Sequence, residues 1–295
     1  MKHTSYQWHS KITPWVFVLP TVIGLLVFKL IPIVTAFYLS FTEWSLLGSP
    51  LFIKLANYKE LVSSDVFLRI VRNTVQFSVV YVIGSMVLGL ALAVLINVRI
   101  TGIAFFRAAI YLPVVTSAVA VGIVWNWMLG PTYGIINNII EAMGMVPPYW
   151  LADMKLALNT VAVVQVWKMS GYYMIIFLAG LQGINADVLD SARVDGANAL
   201  QSFFRITLPM LMSTVFFVLT ITIIDSFKNF ELIYAMTKGG PQNASNTLVY
   251  DVYLNAFVYY RIGYASTIAY VLFFIVALMT LFNFFVKRHM VESLD

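Results

Sequence analysis

The sequence contains no cysteine, and its three histidines all lie near the ends of the chain. Without cysteine there are no disulfide bonds, no thiolate nucleophiles and no cysteine-based metal sites. His3, His9 and His289 stand at the termini, so a histidine-based metal site or proton relay inside a membrane is excluded as well. We therefore expect no metal ion and no other cofactor.

Charge is also scarce: charged residues make up 11% of the 295 residues, hydrophobic residues make up 61%, and the mean hydropathy is +0.86. A soluble domain is typically about one quarter charged, so this chain lacks the polar side chains that would cover a water-soluble globule. An ordinary cytosolic enzyme, a disordered scaffold and a nucleic-acid-binding domain are excluded. The composition is that of a polytopic membrane protein, whose net charge of +5 indicates basic loops facing anionic lipid.

The apolar runs are long and continuous, which favours membrane-spanning helices over the strands of a barrel. We predict an all-α integral membrane protein with a single transmembrane domain over residues 1–295. Six transmembrane helices are predicted, at residues 14–39, 74–96, 104–129, 156–181, 208–224 and 265–286. An amphipathic helix is expected at residues 57–68, and the small residues Ser85, Gly89 and Ala93 are expected to let helices pack closely.

An even number of spans places both termini on one side of the membrane. Basic residues are equally numerous on the two sides, but the connections on the side of the termini are shorter, so basic residues are denser there. Arg99 and Arg107, in the turn between the second and third spans, are examples. This density favours a multi-pass protein of the cytoplasmic membrane with both termini in the cytoplasm. The N-terminal apolar run is too long for a cleaved signal peptide, so we interpret it as a retained first span.

Residues 185–209, between the fourth and fifth predicted spans, are too polar to cross a membrane and carry clear helix signals. Asn185 is placed to cap a first helix, and Asp187 lies where a helix favours negative charge. Gly196, after Asp195, ends that helix because the pair tolerates a left-handed turn, and a second short helix is expected at residues 197–204. Pro209 suits the first turn of the next helix. From these residues alone, the segment is either a knob on the cytoplasmic face or an amphipathic connector lying on the membrane.

The motifs of this segment resemble the EAA loop of the permease subunits of ABC importers. The residues that carry the resemblance are Asp190, Ser191, Ala192, Asp195, Gly196, Ala197, Phe203, Ile206, Leu208 and Pro209. Asp190 stands where that family has Glu, and Ser191 where it has the first Ala. Similar motifs of carbohydrate-type permeases run along most of the chain, at Asn57-Tyr58, Asn73-Thr74, Phe106-Arg107, Leu112-Pro113, Trp125-Asn126-Trp127, Phe177 to Gln182, Gly239-Gly240-Pro241 and Gly263 to Ser266.

The resemblance implies a permease subunit of a prokaryotic, binding-protein-dependent importer that is driven by ATP and works by alternating access. In that family the loop forms the coupling helices that dock into a groove of the ATPase subunit. The implied coupling residues are Asp190, Ser191, Ala192, Asp195, Gly196, Ala197, Leu200, Phe203, Leu208 and Pro209. The implied partners are a second homologous permease (hence a heterodimer), two ABC ATPase subunits, an extracytoplasmic solute-binding protein and membrane lipid, without nucleic acid.

The resemblance also implies a sugar or an oligosaccharide as the solute. The alternative within transport is an ABC permease for another solute such as glycerol-3-phosphate, and a membrane channel or scaffold that needs no ATPase is the less favoured alternative. The sequence has no Walker A pattern and no material for a Ser-His-Asp site. We therefore expect no enzymatic activity in this chain, with ATP hydrolysed by partner subunits.

Polar and aromatic residues in the third and fourth predicted spans are candidates for a solute pathway, because polar side chains are costly in lipid. Aromatic rings can stack on sugar rings, while amide, ammonium and hydroxyl groups can bond sugar hydroxyls. The candidates are Trp125, Asn126, Gln165, Trp167, Lys168, Tyr172 and Tyr173. The alternative is an aromatic belt with a snorkelling lysine, although Lys168 lies roughly 18 Å into its span, which is deep for snorkelling. Asp225 and Lys228 are spaced for an ion pair at the end of the fifth span.

Overall fold

The computed structural model describes residues 3–46, 48–98 and 100–291. Arg99, one of the basic residues that orient the predicted topology, lies outside the described residues. The described part of the chain is almost entirely helical and includes one antiparallel pair of short strands, β1 (Thr42–Glu43) and β2 (Leu51–Phe52).

The helices differ greatly in length, and three π-helical turns, Leu26–Leu30, Phe203–Thr207 and Leu254–Val258, continue α-helices. In chain order the α-helices are α1 (His3–Leu25), α2 (Ile31–Ser40), α3 (Ala56–Val62), α4 (Asp65–Ile96), α5 (Ile103–Val115), α6 (Ala118–Met128), α7 (Ile135–Ala142), α8 (Ala157–Gln182), α9 (Ala186–Val194), α10 (Ala199–Ser202), α11 (Leu208–Met210), α12 (Met212–Ser226), α13 (Glu231–Met236), α14 (Leu248–Tyr253) and α15 (Ile262–Val291).

Membrane-spanning capacity is concentrated in a few long apolar helices. In the described residues four continuous helices are long and apolar enough to cross a membrane: Pro14–Ser40, Asp65–Ile96, Ala157–Gln182 and Ile262–Val286. Two bent pairs have the same apolar character, α5 with α6 and the segment Ala199–Met210 with α12. The number of spans is thus four, or up to six if each bent pair crosses as one unit. The all-α membrane class predicted from the sequence is confirmed.

The helix that contains the second predicted span begins before residue 74, at Asp65. The reason is a cap: the Ser64 hydroxyl accepts a hydrogen bond from the Phe67 amide at 3.3 Å, and Asp65 lies in the first turn, where its charge is favourable. The single amphipathic helix expected at residues 57–68 is wrong, because α3 ends at Val62 and α4 starts anew after the cap.

The third span, predicted as one helix over residues 104–129, is broken. α5 and α6 meet at 95° across Thr116 and Ser117, whose backbone is extended, with ψ angles of 148° and 128°. Pro113 has no amide to donate to the ladder, and the Thr116 hydroxyl bonds the Pro113 carbonyl at 2.6 Å. The break leaves the last carbonyls of α5 without helical partners.

The fifth span, predicted at residues 208–224, is also bent. The segment Ala199–Met210 meets α12 at 69°, and Pro209 lies in the first turn of α11, as the sequence predicts. The apolar helix then continues to Ser226. The bend separates the polar loop at residues 185–209 from the membrane-spanning part of α12.

The chain forms two compact units, Met1–Ser63 with Val252–Tyr270 and Ser64–Asp251 with Val271–Asp295. In the first unit, Asn57 joins the end of α2 to β1, because its buried amide donates to the carbonyls of Ser40 at 3.0 Å and Thr42 at 2.9 Å. Arg261 contacts both carboxylate oxygens of Glu60 at 2.7 Å. Both side chains are half-exposed, so this ion pair contributes little stability.

In the second unit, α4 and α8 pack along much of their length. Ser85, Gly89 and Ala93, which share a face of α4, are all buried, as predicted. The backbones approach so closely that a Cβ atom on Gly89 would lie 2.8 Å from the Cβ atom of Tyr173. Glycine is therefore required there to hold α4 against α8.

We expect Gly89→Ala to lower the thermal stability of the purified protein, because the added methyl group overpacks the contact with Tyr173 at a cost of about 1–3 kcal/mol. Gly24→Ala is the matched control, since nothing lies within 4 Å of a Cβ atom at that helical position. The measurement is the melting temperature of each variant in detergent. Equal melting temperatures for Gly89→Ala and the unmodified chain would contradict this account of the packing.

Candidate functional site

The loop between α8 and α12 begins with a capped helix. The Asn185 side-chain oxygen accepts a hydrogen bond from the Asp187 amide at 3.0 Å, which confirms the predicted N-cap of α9. The Ser191 hydroxyl donates to the Asp187 carbonyl one turn earlier, and Arg193 pairs with Asp190 at 2.7 Å on the exposed surface. This ion pair lies in water and stabilises the helix only slightly.

A tight turn at Gly196 follows α9. Its φ angle is +83°, a left-handed conformation that residues with a Cβ atom rarely adopt. The Ala197 amide donates to the Ala192 carbonyl at 3.0 Å and the Gly196 amide to the Arg193 carbonyl at 3.1 Å, a hydrogen-bonding pattern that closes helix ends. The predicted break at this glycine is confirmed.

The second helix of the loop begins later than the predicted residue 197, because Asn198 caps it. The Asn198 side chain accepts from the Gln201 amide at 2.8 Å, and the Gln201 side chain accepts from the Asn198 amide at 3.0 Å. This reciprocal pair is a capping box. After α10 the chain continues through the π-helical turn into α11.

Apolar side chains stand out from this polar loop. Val194 is 88% exposed, Leu200 70% and Phe204 60%, and the Phe204 ring packs edge-on against Phe203 at 5.1 Å. Of the other predicted coupling residues, Asp190, Ser191, Asp195 and Gly196 are exposed, Ala192 is buried, and Ala197, Phe203, Leu208 and Pro209 are half-buried. Val194 and Phe204 were not among the predicted coupling residues, and their exposure adds them to the candidate docking surface.

The aromatic residues proposed for a solute pathway are partly brought together. Trp125 of α6 and Trp167 of α8 pack edge-to-face, with ring centroids 5.4 Å apart. Gln165 and Tyr172, seven residues apart on α8, share one face and are both half-buried. Asn126 instead donates to the Met236 carbonyl of α13 at 2.9 Å, a contact that joins two helices.

Lys168 is buried, at 6% exposure, and its ammonium donates to the Val114 carbonyl at 3.1 Å. That carbonyl belongs to the last turn of α5, where the helix break leaves it without a helical partner and where a positive charge is favourable. One turn further along α8, Gly171 has no Cβ atom and lets the α8 backbone come against the carbonyl of Ile110. Lys168 and Gly171 together hold the end of α5 against α8.

A buried hydrogen-bond chain joins three helices of the second unit. The Tyr173 hydroxyl of α8 donates to the Asp225 carboxylate of α12 at 3.0 Å. Because a phenol has one proton, its oxygen accepts from the Tyr81 hydroxyl of α4 at 2.8 Å. Among the described residues no salt bridge joins Asp225 to Lys228, although the charge of Lys228 acts on the carboxylate; the hydrogen-bond partner of Asp225 is Tyr173. The signal in the sequence was that Asp225 lies in an apolar run that contains no cation. Such a carboxylate needs a polar partner from another helix.

Within the described ranges, no group of three or more His, Asp or Glu side chains is placed to hold a metal ion.

Comparisons with known proteins agree with this architecture. Residues 85–292 match the family model described as "Binding-protein-dependent transport system inner membrane component". The "Probable ABC transporter permease protein YesP" of Bacillus subtilis (strain 168) is 36% identical over 93% of this chain and 90% of its own length. The "sn-glycerol-3-phosphate transport system permease protein UgpA" of Agrobacterium fabrum (strain C58 / ATCC 33970) is 34% identical over 95% of this chain and 96% of its own.

A solved structure has the same fold. It is that of a bacterial alginate ABC transporter in complex with an alginate pentasaccharide-bound periplasmic protein, and one of its chains superposes with a TM-score of 0.84 at 23% identity, over 97% of both chains. The extent of the family match and the identity to the relatives leave one conclusion: this chain is embedded in the membrane and belongs to the family of binding-protein-dependent transport system inner membrane components.

Proposed function

We propose that this chain is the permease subunit of an ATP-driven importer that moves a sugar or an oligosaccharide across the cytoplasmic membrane by alternating access. The observation that carries the proposal is the loop between α8 and α12: a rigid two-helix knob that exposes Leu200 and Phe204 and leads directly into a bent membrane helix. Exposed apolar side chains on an otherwise polar knob are typical of a surface that a partner covers.

The loop between α8 and α12 is expected to move as one body. α9 and α10 are capped at their N-termini, the turn at Gly196 is closed by hydrogen bonds, and no flexible linker separates α10 from α11. Movement of an ATPase subunit against Leu200 and Phe204 would therefore rotate the loop as a body about the bend at Leu211. We assign Asp190, Ser191, Ala192, Asp195, Gly196, Ala197, Leu200, Phe203, Leu208 and Pro209 to this coupling, with Val194 and Phe204 added.

The proposed assembly contains a second homologous permease as a heterodimer partner, two ABC ATPase subunits and an extracytoplasmic solute-binding protein. The likeness in fold to a chain of the alginate ABC transporter, which was solved with a periplasmic protein, supports the solute-binding partner. We place the loop and both termini in the cytoplasm, where the ATPase subunits are. The chain itself hydrolyses no ATP, because its sequence lacks a Walker A pattern.

For the solute pathway we assign Gln165 and Tyr172 as a polar face of α8, and Trp125 with Trp167 as an aromatic pair on another side of that helix, because Trp167 lies about 140–160° from both polar residues around the axis. Sugars present apolar ring faces, which suit the aromatic pair, and many hydroxyls, which suit the amide and phenol groups. Tyr173, the neighbour of Tyr172, is fully buried and bonds Asp225. Asn126 and Lys168 are assigned to holding the helices, because backbone carbonyls occupy both of their side chains.

The relative that carries glycerol-3-phosphate in its name gives the second candidate solute. A phosphate needs a cation or a set of free amides in the pathway. Lys168 is the cation among the proposed pathway residues, and its ammonium bonds a backbone carbonyl. Because the Lys168 ammonium is already bonded, the pathway favours an uncharged sugar over glycerol-3-phosphate. Binding of oligosaccharides and of glycerol-3-phosphate to the cognate solute-binding protein, followed by uptake into vesicles, distinguishes the two.

We expect Gly196→Val to reduce both solute uptake and the amount of ATPase subunit that co-purifies with the permease. A side chain at a left-handed position costs about 1–2 kcal/mol, so the free loop relaxes out of this turn, and restoring the turn on docking weakens binding up to about tenfold. Gly144→Val is the matched control, because Gly144 has a φ angle of +76°, nothing within 4 Å, and a place outside the loop.

Leu200→Ser tests the same surface without straining the backbone, and it should weaken ATPase co-purification while the permease still inserts and melts normally. Normal uptake and normal ATPase recruitment in both Gly196→Val and Leu200→Ser would refute the coupling role.

The assignments of Gln165 and Lys168 predict opposite effects of their replacement. Gln165→Ala should raise the KM for uptake about two- to tenfold through the loss of one hydrogen bond to the solute, with a smaller fall in melting temperature than Lys168→Met, because Gln165 also bonds Tyr81. Lys168→Met should leave the Val114 carbonyl unpaired, which costs about 1–3 kcal/mol of stability, with the KM unchanged. A raised KM with normal stability for Lys168→Met would place the ammonium in the pathway instead.

A further inference from the structure

The short helix α7, which follows the broken third span, has a surface divided into sectors. Successive residues of an α-helix lie about 100° apart around its axis. Ile136, Asn137 and Ile140 form one sector, which is buried or half-buried against the protein, and Asn138 and Glu141 form a polar sector that is exposed. The helix therefore has one face on protein and one face in water.

The third sector of α7 is apolar and exposed. Ile135 is 47% exposed, Ile139 49%, and Met143, at the C-cap, 67%. At intervals of four residues they fall within about 80° of one another around the axis. Three large apolar side chains in one stripe are energetically unfavourable in water. This sector should therefore face something other than the water around Asn138 and Glu141.

Asn137 fixes the rotation of α7 and hence the direction of each sector. This residue is 2% exposed; its amide donates to the Gly130 carbonyl at 3.1 Å, and its side-chain oxygen accepts from the Trp150 indole at 2.8 Å. The Gly134 amide also donates to the Gly130 carbonyl. The helix is thus fastened to the end of the span that precedes it.

The span that precedes α7 also exposes apolar and aromatic side chains. Ile123 and Trp127 of α6 are 59% and 63% exposed, and Tyr133, between α6 and α7, is 80% exposed. Tyr149, beyond α7, is 68% exposed. Tyrosine and tryptophan concentrate where a membrane meets water, so these residues indicate the level of the membrane at which α7 lies.

We propose that α7 lies parallel to the membrane in the interfacial layer of the bilayer, with Ile135, Ile139 and Met143 inserted about 5–10 Å into the boundary between headgroups and acyl chains. Asn138 and Glu141 face water, and the Asn137 sector stays on the protein. The polar sector contains no basic residue, so insertion depends on buried apolar area and not on anionic lipid. In this arrangement α7 anchors the broken third span at one depth in the bilayer.

The absence of cysteine from the sequence makes the test direct. Single variants Ile135→Cys, Ile139→Cys, Met143→Cys, Asn138→Cys and Glu141→Cys are spin-labelled in the full chain, purified with the subunits with which it assembles, and reconstituted into phosphatidylcholine vesicles. Electron paramagnetic resonance power saturation then compares collisions with oxygen, which concentrates in lipid, with collisions with a water-soluble nickel chelate.

We expect the ratio of oxygen to nickel accessibility to be several-fold higher at residues 135, 139 and 143 than at residues 138 and 141, and to be unchanged when anionic lipid is added. High nickel accessibility at all five positions would show a helix in water. Low accessibility to both reagents at residue 139 would show a protein partner on the stripe. Either result, or insertion that requires anionic lipid, overturns the proposal, and none of these readouts depends on which solute is transported.

Discussion

Inside a bilayer each backbone carbonyl and amide must find its partner in the protein, because lipid offers none. The break between α5 and α6 leaves carbonyls at the end of α5 without helical partners. Lys168 provides one partner by donating to the Val114 carbonyl, and Gly171 lets α8 approach the same helix end. The bend thus persists, and Trp125, carried by α6 beyond the bend, packs against Trp167 of α8.

The two helices of the polar loop between α8 and α12 could be predicted from the sequence, because the residues that start and end them are neighbours in the chain. Asn185 caps the helix that it precedes, and Gly196 adopts the left-handed conformation at the position where the sequence ends that helix. Apolar runs likewise located the long helices. Hydropathy does not locate the start of α4, because the Ser64 cap lets the helix begin among polar residues that precede the apolar run.

The break in the third span and the contacts of the candidate pathway depend on residues far apart in sequence. Hydropathy is high on both sides of Thr116 and so does not separate α5 from α6, although Pro113 is a local signal for a break. The position of Lys168 deep in a span indicates a buried polar role, but its partner, the Val114 carbonyl, lies on another helix. Asp225 suggested a local ion pair with Lys228, whereas its bond goes to Tyr173. Sequence spacing can identify such polar side chains, but it does not show which distant residues they bond.

The chain of bonds from Tyr81 through Tyr173 to Asp225 has a direction, since each hydroxyl gives its single proton to the next group. If α12 moves and takes the carboxylate away, the Tyr173 proton can turn back towards Tyr81, whose own proton then needs Ser85 or Gln165 beside it as an acceptor. Any movement of α12 that breaks the bond to Asp225 therefore reorders polar side chains on α4 and α8 as well.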